Sequence, residues 1–150
     1  MSDGGPGATG IPDPGPGHQV DINFDNVPPN DTPQKATRLG TSSTGDVTVW
    51  ITDNSIGGKD NESNYFVFRS GPQAGVFLFT GCFSPPLTGM TGTLWKVEGG
   101  TARLPPVESA NSTADGPTLQ CLDFDQPVLE PNTVYLFGLT ATGGAGTYAL

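Results

Sequence analysis

Positive charge is scarce in this sequence: 150 residues carry six Lys and Arg against fifteen Asp and Glu, for a net charge of −9. The six cations (Lys35, Arg38, Lys59, Arg69, Lys96, Arg103) are scattered along the chain. A nucleic-acid binder needs a basic stripe to displace phosphate counterions, so direct binding of DNA or RNA is not expected. Histidine occurs once, as His18. A Ser-His-Asp or Cys-His arrangement would have to recruit it from the N-terminal segment, and there is no G-x-S-x-G elbow. One histidine and two cysteines leave a catalytic zinc ion short of ligands. No apolar run approaches the ~20 residues of a membrane span, and "MSDGGPGATG" has neither the basic nor the apolar region of a signal peptide. A carboxylate pair for glycoside hydrolysis is the one catalytic arrangement that the plentiful Asp and Glu leave open, and a small β domain is a poor prior for it. The expectation is a protein that is not an enzyme and needs no cofactor.

Three short motifs fail on context. "GPGATG" (5–10) fits G-x-G-x-x-G, but no strand precedes it and no helix can follow. "DINFD" (21–25) starts like an EF-hand loop, yet Asn26 stands where the glycine is required and Thr32 where the bidentate glutamate is required. Asn30, Asn61 and Asn111 head N-x-S/T triplets, which chance supplies easily in a chain rich in Ser and Thr.

What the chain has in excess is glycine (22) and proline (15), and ten of the first seventeen residues are one or the other. Residues 1–20 therefore read as an extended arm, since Pro lacks a donor and Gly supplies freedom. Such an arm orders only against a surface. The expected surface is a neighbouring subunit, contacted through Pro6, Ile11, Pro12, Pro14, Pro16 and His18. Residues 21–44 connect the arm to the domain, with one short helical turn in "TPQKATRL": Thr32 as N-cap and Pro33 at the first helical position.

Residues 45–150 read as an all-β domain. Strand-like runs lie at 46–52, 64–70, 75–83, 92–100, 118–124, 132–141 and 146–150, separated by Gly, Pro, Asn and Asp turns. That pattern predicts an antiparallel β-sandwich or barrel of about seven to eight strands. "GVFLFTGCF" (75–83) is apolar on both faces, as an interior strand is. The segments 52–64 and 104–118 read as long polar loops. Cys82 and Cys121 end two apolar runs. The even count fits one disulfide across the sandwich, worth about 4 kcal/mol by loop-closure entropy; two buried free thiols are the alternative. Trp50, if outward, would be a sugar- or protein-binding aromatic; otherwise it fills the core with Trp95.

The order of landmarks from residue 25 onward resembles the bacterial pre-peptidase C-terminal domain, related to the collagen-binding domain of clostridial collagenases. The matching segments are "PPNDTPQKATRL", "GDVTVWI", "NESNYFVF", "GVFLF", "GTLWKV" and "LEPNTVYLFGLTATGGAGTYAL". The resemblance implies a jelly-roll-like β-sandwich without catalytic activity. Domains of this kind are appended to secreted enzymes, where they bind substrate, assist secretion or take up calcium. Asn30 and Asp31 match the family's opening motif. Asn26 and Pro28 stand where calcium-binding relatives carry glutamates, and Asn61 and Asn64 where they carry aspartates. Asp25, Asp60 and Glu62 lie near enough to compensate, so the ligand set the resemblance implies is Asp25, Asn30, Asp31, Asp60 and Asn64. Calcium wants six to eight oxygens, and this set is depleted. Turn and capping chemistry is the plainer role for Asn30 and Asp31.

Two functions follow as expectations. The first is a structural subunit on the surface of a virion or similar extracellular particle, its arm docked on a neighbour. Deleting residues 2–20 is then expected to abolish incorporation and leave the sandwich folded. The second is an accessory domain of a secreted hydrolase that binds a polymer such as collagen or polysaccharide, with calcium as an option.

Overall fold

The computed structural model of the chain describes residues 8–17, 21–23, 30–42, 50–52, 54–56, 63–77, 80–114 and 116–148. Strand segments account for nearly all regular structure. In chain order they are β1 (Asp21–Asn23), β2 (Thr37–Thr41), β3 (Trp50–Thr52), β4 (Asn54–Ile56), β5 (Ser63–Arg69), β6 (Gly75–Val76), β7 (Thr80–Phe83) and β8 (Gly89–Glu98). There follow β9 (Thr101–Ala102), β10 (Glu108–Asn111), β11 (Thr113–Ala114), β12 (Gln120–Asp123), β13 (Val128–Leu129), β14 (Val134–Gly143) and β15 (Gly146–Tyr148). The expected helical turn is one 3-10 turn, Pro33–Lys35, with Pro33 at its start. Thr32 occupies the N-cap without a side-chain hydrogen bond. "ATRL", read from sequence as helix-compatible, instead enters β2, whose β-branched Thr37 suits a strand.

A six-stranded sheet forms the centre, in the order β10-β8-β14-β5-β2, with β9 also paired to β8. β14 runs antiparallel to both β5 and β8, so Leu136 lies between Val67 and Trp95 and Phe137 between Phe66 and Leu94. β2 pairs with β5 in parallel, and β1 with β3 likewise. Parallel neighbours need a long connection, and β2 and β5 are separated in sequence by residues 42–62. Small sheets, β11-β12-β7, β13-β6 and β15-β4, complete the fold, an all-β sandwich.

Period-two alternation sends the side chains of the central strands to two cores. One face holds Phe66, Leu94, Tyr135, Phe137 and Leu139, packed with Phe83, Leu122, Phe124 and Leu129 from the small sheets and their loops. Phe77 lies within 5.4 Å (ring centroids) of Phe137 and 5.7 Å of Phe124, tying the layers together. The other face holds Tyr65, Val67, Trp95, Val97 and Leu136, and here the cover is Ala8, Ile11 and Ala36. Gly138 makes that second core fit: a Cβ there would meet Tyr65 Cε1 at 2.6 Å and Trp95 Cζ3 at 3.1 Å.

The loop read at 104–118 carries β10 and β11. Ser109, Asn111, Thr113 and Ala114 on these strands are exposed and only Glu108 and Ala110 are half-buried, so no hydrophobic period marks them. Within the run 75–83 the described residues include two strands, β6 and β7, that join different small sheets.

Candidate functional site

The arm and the surface it lies on form the most developed constellation among the described residues. Extended chain without periodicity holds its place only where side chains and backbone groups find specific partners. Ile11 donates its N–H to Gly100 O at 3.1 Å, and Ala8 O accepts from Ala102 N–H at 2.8 Å. These bonds clip the arm to the β8–β9 hairpin, whose Gly99-Gly100 turn has positive φ at both residues, as a tight hairpin requires. Ala8, Ile11 and Pro14 are buried, Pro12 is half-buried and Pro16 is exposed.

Farther along, Gln34 Nε2 donates to Thr9 O at 2.6 Å. Thr41 Oγ1 donates to Gly15 O at 2.7 Å, and Thr41 N–H donates to Gly17 O. Asp13 accepts the Gly15 N–H at 2.7 Å in an Asx turn. It also stands 3.5 Å from Arg69. The Gly15 hydrogen bond first, and Arg69 after it, hold the Asp13 carboxyl below the usual carboxylate range. Around this end lies an open depression of about 550 Å³ lined by Asp13, Pro16, Thr41, Ser42 and Arg69.

The expected partner surface for the arm was a neighbouring subunit; residues 8–17 lie on the chain's own sheet. The reason is the apolar second face: Tyr65, Val67, Trp95 and Val97 need cover, and the arm supplies it. Deleting residues 2–20 would therefore expose Tyr65, Val67, Trp95 and Val97 and lower the stability of the sandwich. Pro6 and His18 lie outside the described residues.

A second constellation sits where the chain enters the sandwich. Asn30 is fully buried: its carbonyl accepts Tyr65 N–H at 2.8 Å, and its Nδ2 donates to Thr37 Oγ1 at 3.0 Å and Tyr65 O at 3.2 Å. The residue thus mimics a strand beside β5 and pins the entry. Its Oδ1 has no hydrogen-bond partner, and neither has the buried Oδ1 of Asp31, which Lys35 approaches only to 4.0 Å. Asn64, next to Tyr65 on β5, is also fully buried. Two of the five residues in the expected ligand set adjoin Tyr65, Asn30 by hydrogen bonding and Asn64 in sequence, and Asp31 follows Asn30 in the chain; Asp25 and Asp60 lie outside the described residues. Among the described residues no three His, Cys, Asp or Glu side chains converge. Calcium wants six to eight oxygens, and the two unpartnered ones of Asn30 and Asp31 fall short of that number.

Cys82 and Cys121 form a disulfide. They face each other directly on β7 and β12, with Cα atoms 4.2 Å apart, so the bond staples two strands of one sheet and does not cross the sandwich. Trp95 is buried in the second core; for Trp50 only the backbone, paired with Asp21, is described. Lys96 sits between Glu130 and Glu98, at 3.1 and 3.4 Å, and Arg103 lies 3.2 Å from Glu98. Sequence reading missed this network and the arm's seat.

The class the fold defines is an all-β sandwich with a strapped second face. No protein-family model matches the chain, and comparison with curated proteins finds no match.

Proposed function

We propose that this chain is a non-catalytic structural subunit, of the kind that covers the surface of a virion or similar extracellular particle. The observation that carries the reading is the arm: ten described residues of extended chain bound through backbone hydrogen bonds and buried apolar side chains to the second face of the sheet. An extended arm laid on a sheet edge and an apolar face is a means of linking protein surfaces by β-strand-like addition. The acidic surface suits a solvent-facing subunit that resists nonspecific association. The disulfide suits an oxidising, extracellular setting. Rate-zonal fractionation of the source material, followed with an antibody against the chain, tests the reading. Co-sedimentation with a large particle is expected; recovery of all the chain as free protein would overturn it.

A second reading is favoured by the two orphaned oxygens of Asn30 and Asp31: an accessory domain of a secreted hydrolase, similar to the pre-peptidase C-terminal domain, with calcium at the entry to the sandwich. Calcium there would be held by Asn30, Asp31 and Asn64, and its chemistry would be that of a structural cross-link. Thermal unfolding in calcium against chelator tests it, with Asp31→Asn as the control. A calcium-dependent rise in Tm that Asp31→Asn removes supports the reading; equal Tm with and without calcium counts against it.

A further inference from the structure

We propose that the arm is exchanged between copies, residues 8–17 of one chain occupying the seat of the next. This rests on the assembly reading above and names its interface. The chemistry of occupant and seat is already displayed within one chain. Ile11 N–H to Gly100 O, Ala102 N–H to Ala8 O and the Thr41 bonds to Gly15 and Gly17 all join the arm to the sandwich. None of them requires both partners to belong to one molecule. An exchanged arm reproduces every contact, so contact energies cancel between the closed and the exchanged arrangement.

Charge selects this occupant. Asp13 is the only charged residue of the segment 8–17, and it meets Arg69 at 3.5 Å. Two chains of net charge −9 repel when they approach at random; the arm brings one carboxylate to one guanidinium. An empty seat is costly: Tyr65, Val67, Trp95 and Val97 would be exposed, at about 25 cal/mol per Å² of apolar surface. Replacement of one arm by another therefore costs less than release.

Concentration decides which arm that is. A tethered arm competes at an effective concentration on the order of millimolar. Dilute copies keep their own arms, whereas copies packed side by side on a particle meet neighbouring arms at comparable concentration. The chain is then a closed monomer in dilute solution and a linked subunit when crowded.

A charge-swap experiment on the full chain tests this without threatening the fold, because both residues are partly exposed. One variant carries Asp13→Arg and the other Arg69→Asp. Each alone places like charges at arm and seat, whether its own arm or another copy of itself fills the seat. Mixed, each arm meets a seat of opposite charge only in the other chain. Sedimentation equilibrium up to about 1 mM is expected to show heterodimers in the mixture, with association roughly tenfold tighter than in either variant alone. A dye-labelled peptide of residues 6–20 carrying Asp13→Arg is expected to enter the Arg69→Asp chain in preference to the parent chain. A mixture no more associated than its components, or a peptide that distinguishes neither chain, would overturn the exchange. Should that occur while the chain still co-sediments with a particle, the assembly reading stands and the exchange alone falls.

Discussion

Ile11 and Gly100 are joined by a 3.1 Å backbone hydrogen bond that fixes the arm at the point where its one large aliphatic side chain enters the second core. The bond fixes the backbone and the burial supplies the energy. Ile11→Ala is expected to cost about 2 kcal/mol in urea unfolding, the transfer energy of the side chain. Ile11→Asp costs more, because a carboxylate replaces it without a partner. Pro16→Ala, in the same arm but exposed, is expected to stay within roughly 0.5 kcal/mol of the parent.

Gly138→Ala is expected to destabilise by about 1–3 kcal/mol, since the new methyl overlaps Tyr65 and Trp95, both held in place by the arm. In a Tyr65→Leu background the same change should cost less, because Tyr65 makes the two nearest contacts. A double-mutant cycle on thermal unfolding measures the difference; additive costs would place the overlap elsewhere.

Removing the disulfide with Cys82→Ser and Cys121→Ser closes no loop in the unfolded chain, and the expected loss is about 4 kcal/mol. The remaining fold keeps its central sheet, because neither β7 nor β12 belongs to it. Guanidinium midpoints of the double variant and parent, both in oxidising buffer, provide the comparison.

Alkaline pH should weaken the domain. Burial pushes the Tyr135 phenol above its ordinary range, and its oxygen accepts the Glu130 N–H at 2.8 Å. Hydrogen bonds from Lys96 to Glu130 raise the lysine. Both folded-state values lie above the unfolded ones, so the contribution is complete below about pH 10 and declines as pH rises through the folded values. Urea midpoints from neutral pH upward are expected to fall in that window. Tyr135→Phe should flatten the fall, while costing about 1–3 kcal/mol at neutral pH through the Glu130 N–H left without its acceptor.

The parts of the fold that were legible in sequence are those with a strong apolar period. "NYFVFRS" and "NTVYLFGLTA" mark β5 and β14 to within two residues, because buried Phe, Tyr, Val and Leu on a two-faced strand leave little else for the segment to be. Glu108–Asn111 was illegible for the opposite reason: an edge strand buries little, and its side-chain links to β8, Asn111 with Thr91 and Ser109 with Thr93, are polar. The seat was half visible. Tyr65 and Val67 alternate with Phe66 and Phe68, which says that both faces of β5 are covered, but nothing in "ATGIPDPGPG" says that this segment is the cover. Its apolar residues, Ala8 and Ile11, are isolated and aperiodic. Their partners, Gly100 and Ala102, are some ninety residues away, and a long-range pairing carries no local signature. Likewise, Asn30 reads from sequence as a turn residue; only the structure shows it buried against Tyr65 with one oxygen unsatisfied.

The central claim is that the arm occupies this seat, and amide hydrogen exchange at Ala102 and Ile11 in the dilute full chain tests it most directly. Ala102 N–H has Ala8 O as its acceptor and Ile11 N–H has Gly100 O. Both amides are expected to exchange slowly in the parent, and Ala102 at near-free rates in Ile11→Asp, with the β14 amides of Leu136 and Phe137 protected in both. Free exchange at Ala102 and Ile11 in the parent, beside a protected β14, would contradict the account.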